Sequence, residues 1–94
     1  MPTAHFEQGF AFRFYSNDHL PMHIHAVHGD EVCVFLLGDV EEREDEDGRL
    51  FLAVLEAPST RENKGMKLAN VRRALAIIEA NQSKLIAAWR GHLG

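Results

Sequence analysis

The chain has a single cysteine and no long apolar segment. Cys33 is the only cysteine among 94 residues, so no disulfide can form within the chain. This cysteine usage is typical of a reducing compartment, and we expect a buried thiol. No apolar run is close to the length of about 18 residues that a membrane-spanning helix needs. Residues 1–15 also lack the apolar core of a secretory signal, so we expect a cytoplasmic protein with no membrane part.

The chain also lacks the basic excess that is typical of nucleic-acid-binding proteins. Its formal net charge is −4, with 14 acidic and 10 basic residues. Half of the acids lie in residues 39–47 around Arg43, and outside that segment seven acids face nine bases. Because clustered like charges resist burial, this segment predicts a solvated, mobile loop. The alternative is a docking site for a basic partner.

Apolar patterning divides the first two thirds of the chain into strands. Four segments have strand composition: residues 10–16, 22–28, 31–37 and 50–55. Phe10, Phe12 and Phe14 alternate with other residues, which predicts an aromatic core face. Gly29 and Asp30 separate the second and third segments and fit a two-residue hairpin loop. The fourth segment is apolar at every position, which predicts a strand buried on both faces.

The last third has helical periodicity. A stripe with alternating spacings of three and four residues comprises Leu68, Val71, Leu75, Ile78, Gln82, Leu85 and Trp89. Only Gln82 interrupts it, so residues 81–83 could separate two consecutive helices, although the unbroken phase favours one helix over residues 67–91. We therefore predict one α+β domain over residues 1–94. Its antiparallel sheet of three to four strands packs against a long C-terminal helix or two consecutive helices.

Four of the six histidines fall between residues 19 and 28. With Gly29-Asp30 as the loop, His23 lies opposite Leu36 and His25 opposite Val34 on the neighbouring strand. Alternation then puts His23 and His25 together on one face, and the apolar residues between them on the other. Because the apolar face should meet the helix, we predict that both imidazoles point away from it.

Two imidazoles at i and i+2 stand about 7 Å apart along a strand, close enough to share one ligand. Asp18 or His19 could supply a third ligand to a divalent metal such as zinc. Without metal, His23 or His25 could act as general acid or base, with Asp18 orienting an imidazole. Arg72 and Arg73, at the start of the predicted helix, could hold a phosphate. A purely structural or solvated role for the histidines is the third possibility.

Three segments of the chain form a recognisable combination. They are the Met1-Pro2-Thr3 opening, the run Phe14-Tyr15-Ser16-Asn17-Asp18-His19 leading to Pro21 and His23-Ile24-His25, and a C-terminal helix that ends in Trp89 before a short Gly-terminated tail. Together they resemble the prokaryotic domain-of-unknown-function 4160 family. The resemblance covers almost the whole chain. The Asn-Asp-His-x-Pro-x-His-x-His core carries most of its specificity.

The resemblance implies a gene organisation rather than a settled activity. Such proteins look like members of two-gene cassettes of the toxin–antitoxin type, which implies a small protein partner encoded nearby. Our first hypothesis is a toxin-like nuclease or RNA-binding enzyme that uses His23, His25 and Asp18. The alternative is a non-catalytic module that binds a metal or a partner at the same histidine face. The two-sided apolar strand at residues 50–55 also makes a homodimer an option.

Overall fold

The computed structural model describes residues 3–15 and 19–93. Within these residues the chain forms seven strands followed by two helices. The strands are β1 (Thr3–Glu7), β2 (Phe10–Arg13), β3 (His23–His28), β4 (Glu31–Leu36), β5 (Asp39–Glu44), β6 (Leu50–Glu56) and β7 (Ser59–Asn63). The helices are α1 (Leu68–Ala80) and α2 (Gln82–Leu93). Neither helix is long and apolar enough to cross a membrane.

The described strands form two antiparallel sheets. The larger has five strands in the order β1-β2-β3-β4-β7, and the smaller is the β5-β6 hairpin. The predicted α+β class is confirmed, but the strands are more numerous than the three to four expected. The short polar strands β1 and β7 were missed because neither has a clear apolar alternation. The first predicted strand ends at Arg13, before residue 16.

The β3-β4 hairpin agrees with its prediction. His28 pairs with Glu31 across the Gly29-Asp30 turn, and Gly29 has the positive φ of 60° that such a turn favours. In the same register His23 faces Leu36 and His25 faces Val34, as predicted. This register determines which side chains lie beside the two imidazoles.

The core lies between the larger sheet and the helices. Phe10, Phe12 and Phe14 are all buried, as the alternation predicted. The buried helix residues are Val71, Ala74, Ile77, Ile78, Gln82, Leu85, Ile86 and Trp89. Leu68 departs from the predicted stripe because it is 62% exposed. Cys33 is fully buried, and this burial raises the pKa of its thiol.

The C-terminal third consists of two helices, so the preference for one continuous helix was wrong. Asn81 separates them with φ −122° and ψ 17°, outside helical geometry. The adjacent Gln82 is buried, and its Nε2 donates to the carbonyls of Leu37 and Glu56, each at 2.9 Å. The polar residue in the apolar stripe therefore satisfies two main-chain carbonyls at the point where the helix breaks.

The β5-β6 hairpin contradicts two predictions. Residues 39–44 of the acidic segment form strand β5 rather than a loop, and they pair with β6. The apolar strand β6 is exposed along almost its whole length instead of buried on both faces. It has a paired strand on one edge only, and nothing in the described part of the chain covers its apolar side chains.

Candidate functional site

The candidate site is built around the first residues of β3. His23 and His25 alternate on one strand, and their ring centroids lie 5.4 Å apart. Ile24, between them, is fully buried in the core. The strand therefore anchors itself through its apolar residue and holds the two imidazoles next to each other.

The imidazole of His23 lies against helix α2. Its ring centroid is 5.1 Å from that of Trp89, and the residue is only 6% exposed. The prediction that both imidazoles point away from the helix was therefore wrong for His23. Alternation determines the side of the strand from which the side chain leaves, but not what packs around the strand's end. Here His23 Nδ1 bonds the carbonyl of Pro21, two residues earlier, and Trp89 packs against the ring.

The hydrogen bond to Pro21 has a chemical consequence for His23. Because a carbonyl oxygen only accepts, Nδ1 must carry the proton in the 2.8 Å bond. In the neutral imidazole the lone pair then belongs to Nε2, which can accept a proton or ligate a metal. The main-chain carbonyl thus fixes the tautomer of the neutral His23 imidazole, with the proton on Nδ1.

His25 lies in a more open position than His23. It is half-buried, and Tyr15 packs edge-on against it with ring centroids 4.3 Å apart. Its cross-strand neighbour on β2 is Arg13, so the two side chains leave the sheet on the same face. His25 is therefore flanked by the His23 imidazole and the Tyr15 ring, and Arg13 leaves the neighbouring strand on the same face.

Arg13 is the residue that the sequence interpretation missed. Its Nε is buried and has no hydrogen-bond partner within the described part of the chain. A buried, unsatisfied donor is costly, and a cationic one is a natural partner for an anion. Alternation in the sequence could have shown its face, because Arg13 lies between Phe12 and Phe14 and must therefore leave the strand on the side opposite the aromatic core.

The end of helix α2 supports this cluster. Trp89 contacts Phe14 edge-on at 5.4 Å between centroids, on the core side of the cluster. His92 donates from Nε2 to the main-chain carbonyl of Tyr15 at 3.0 Å, and its ring lies 5.6 Å from that of Phe14. Helix α2 therefore contacts both Tyr15 and His23 directly.

The structure does not bring all the predicted site residues together. His19 is exposed, and Asp18 lies outside the described residues. Glu31 accepts hydrogen bonds from Lys67 N and Asn70 Nδ2, so α1 begins at the turn end of the β3-β4 hairpin. His23 is five residues along β3 from this end, or about 17 Å at 3.4 Å per residue.

Arg72 and Arg73 follow directly after this helix start, and both are exposed. Both lie in the first turns of α1, whose start is at the turn end of the β3-β4 hairpin, whereas Arg13 is the cross-strand neighbour of His25. Across residues 3–15 and 19–93, no three His, Cys, Asp or Glu side chains are grouped so that they could hold a metal ion.

Comparison with protein-family models gives a match over residues 9–90 to a family described as "Domain of unknown function (DUF4160)". The chain belongs to this family. The match includes the whole imidazole cluster and both helices up to Arg90, in agreement with the resemblance seen in the sequence. Neither the curated proteins nor the solved structures contain a match to the chain.

Proposed function

We propose that this DUF4160 protein is a small, toxin-like ribonuclease that cleaves RNA without a metal, using His23 and His25 as base and acid. The observation that carries the proposal is the buried Arg13 Nε without a partner among the described residues, on the cross-strand neighbour of His25. Two imidazoles with an arginine on the neighbouring strand can supply the base, the acid and the cation that metal-free phosphodiester transfer uses.

The proposed reaction uses the 2′-hydroxyl of RNA as nucleophile. His23 Nε2 takes the 2′-hydroxyl proton while the oxygen bonds to the adjacent phosphorus. The bond from phosphorus to the 5′-oxygen breaks, and protonated His25 gives its proton to that oxygen. The products are a 2′,3′-cyclic phosphate and a 5′-hydroxyl. Arg13 stabilises the charge that develops on the phosphoryl oxygens.

The test is cleavage of a short fluorescent RNA in the presence of EDTA. We expect the His25→Ala variant to lose about 10²–10⁴-fold in kcat/KM, as removal of a general acid does. The Arg13→Gln variant should also lose activity. RNA that carries a 2′-deoxy sugar at the cleaved position should stay intact. Mass spectrometry should show the cyclic phosphate.

Matched controls are His28→Ala, a histidine on the same strand, and Arg61→Gln, an exposed arginine on β7. Both should retain wild-type rates. Expression of the wild type in bacteria should slow growth and degrade RNA, whereas expression of His23→Ala or His25→Ala should not. Equal growth of all three strains with intact RNA would contradict the proposal, and so would cleavage by His25→Ala at the wild-type rate.

A second candidate is a non-catalytic module that binds zinc at the same imidazoles, as part of a partner complex. It is favoured by the His23 Nδ1 bond to the Pro21 carbonyl, since metal-ligating histidines typically donate their second nitrogen to such an oxygen. Asp18 or His19 would supply the further ligand. NMR of the histidine side chains during a zinc titration tests this candidate. The His23 and His25 signals must shift when one equivalent of zinc has been added, and unchanged signals reject the candidate.

A further inference from the structure

Strand β6 exposes an unusual amount of apolar surface. Five of its seven residues are large apolar side chains that are between 47% and 66% exposed: Leu50, Phe51, Leu52, Val54 and Leu55. A large exposed apolar patch is a common mark of an interaction site. The imidazole cluster does not involve any of these residues.

Cross-strand pairing sorts the hairpin into two chemically different faces. On one face Leu50 pairs with Glu44 and Leu52 with Glu42, and Val54 continues the apolar row. We call this the aliphatic face. On the opposite face Phe51 pairs with Arg43, whose Nε bonds Glu41 at 2.9 Å. A depression of about 410 Å³ lies beside Leu50 and Leu52, lined also by Glu42 and Phe51.

The charges on the two faces also differ. Glu41 is compensated by Arg43 on the opposite face. On the aliphatic face neither Glu42 nor Glu44 has an ion-pair partner among the residues that the structure describes. The aliphatic face therefore presents a row of three aliphatic side chains next to a row of two uncompensated carboxylates.

The dimensions of the aliphatic face suit a helix. Leu50 and Val54 are four residues apart, which is about 14 Å along a strand. This length corresponds to about nine residues of α-helix at 1.5 Å each. A helix with apolar residues at i, i+3 and i+7 could cover the aliphatic row, with lysine or arginine on one flank above Glu42 and Glu44.

The chain's own helices cannot supply such a stripe to a second copy. Leu68 is the one large apolar side chain exposed on either helix, among the helix residues whose side chains are described. One leucine does not match three aliphatic positions. A different protein must therefore provide the covering helix.

We propose that the aliphatic face is the docking surface for a basic amphipathic helix of a partner protein. Apolar contacts with Leu50, Leu52 and Val54 provide the affinity, and the carboxylates of Glu42 and Glu44 select a partner helix with lysine or arginine on one flank. The aliphatic face is separate from the imidazole cluster and binds its partner whether or not the protein cleaves RNA.

The test uses the full chain and a synthetic helical peptide, rich in alanine, with leucine at i, i+3 and i+7 and lysine on one flank. We expect saturable binding by fluorescence anisotropy, with amide NMR shifts confined to β5, β6 and their connecting turn. The double variant Leu50→Ser/Leu52→Ser should weaken binding at least about tenfold, which corresponds to 1.4 kcal/mol. Glu42→Lys should weaken it less and reduce its salt dependence.

Three controls make the result specific. A peptide with the same composition but leucines spread around the helix should bind at least about tenfold more weakly, and Arg61→Gln, on the larger sheet, should bind like the wild type. Circular dichroism confirms that each variant is folded.

Equal binding of both peptides, shifts outside the hairpin, or no saturable binding at millimolar peptide would overturn the proposal. A dimer in light scattering that is lost in Leu50→Ser/Leu52→Ser would also overturn it, because a second copy would then occupy the face.

Discussion

Strands β4 and β6 have similar apolar composition and opposite environments. β4 places Cys33, Val34 and Phe35 in the buried interior, whereas Phe51 and Leu52 of β6 are about half exposed. Among the strands of residues 3–15 and 19–93, β4 is paired on both edges, by β3 and β7, and β6 on one edge, by β5. The comparison shows that an apolar run predicts a strand, but its burial depends on the elements that cover it.

The first prediction compares one phenylalanine from each strand. Phe35→Ala should lower the free energy of unfolding by about 3–5 kcal/mol, because it leaves a cavity in a closed core. Phe51→Ala should lower it by less than about 1 kcal/mol, since the side chain is already half in water. Urea denaturation followed by circular dichroism measures both. Equal losses would mean that the face of the β5-β6 hairpin that carries Phe51 is covered in solution.

The second prediction concerns the glycine that joins the two sheets. Gly38 has φ +73°, and a Cβ there would overlap the Glu56 carbonyl oxygen and lie 2.8 Å from Gln82 Nε2. We expect Gly38→Ala to lower the free energy of unfolding by about 3 kcal/mol or more, because it strains the backbone and displaces the β5-β6 hairpin.

Gly29→Ala is the matched control for this prediction. Gly29 also has a positive φ, of 60°, but a Cβ there meets nothing within 4 Å. The Gly29→Ala substitution should therefore lower the free energy of unfolding by only about 1 kcal/mol, from the unfavourable backbone conformation alone. Thermal unfolding of the two variants separates the steric from the conformational contribution. A similar loss in both would show that the contact of Gly38 with Glu56 is unimportant.

The same contrast explains how much of the fold the sequence could predict. The β3-β4 register followed from Gly29 and Asp30 because a two-residue turn leaves one pairing. The environment of β6 did not follow, since no local pattern indicates whether another element covers a strand. The break between the helices was marked by Gln82, but its cause lies in Leu37 and Glu56, which are distant in sequence.

The third prediction tests that long-range cause. Gln82→Leu removes the Nε2 donor and leaves the Leu37 and Glu56 carbonyls unsatisfied. We expect a loss of about 1–3 kcal/mol in the free energy of unfolding despite the added apolar side chain. Ser83→Ala, the exposed neighbour, is the control and should change little. Chemical denaturation measures both, and a more stable Gln82→Leu would show that the two carbonyls find other donors.

At the candidate site, the imidazole pair was predictable and its surroundings were not. Alternation along β3 is enough to bring His23 and His25 together. Arg13 is next to His25 because of the register between β2 and β3. The sequence has no short turn motif between these strands from which that register could be predicted. Trp89 reaches His23 from the far end of the chain, so the burial of this imidazole was not predictable from strand pattern.

The fourth prediction concerns the opposite end of the larger sheet, where Glu31 joins β4 to helix α1. The Glu31 carboxylate accepts from Asn70 Nδ2 and from Lys67 N, each at 3.0 Å. The bond from Asn70, followed by that from Lys67, holds the pKa of Glu31 below its ordinary value of 4.5. A carboxyl group whose pKa is lower when folded stabilises the protein above its unfolded-state pKa.

This stabilisation should therefore be complete at neutral pH and should decrease as the pH falls below about 4.5 through the folded-state pKa. Glu31→Gln cannot ionise, so the difference in unfolding free energy between wild type and variant should be largest near pH 7 and shrink in acid. Asn70→Ala should reduce the pH dependence of that difference, because it removes the larger cause of the shift. Unfolding of the four proteins of this double-mutant cycle, measured from pH 7 to pH 3, provides the comparison. A difference between the wild type and the Glu31→Gln variant that does not vary with pH would mean that ionisation of Glu31 is not coupled to the start of α1.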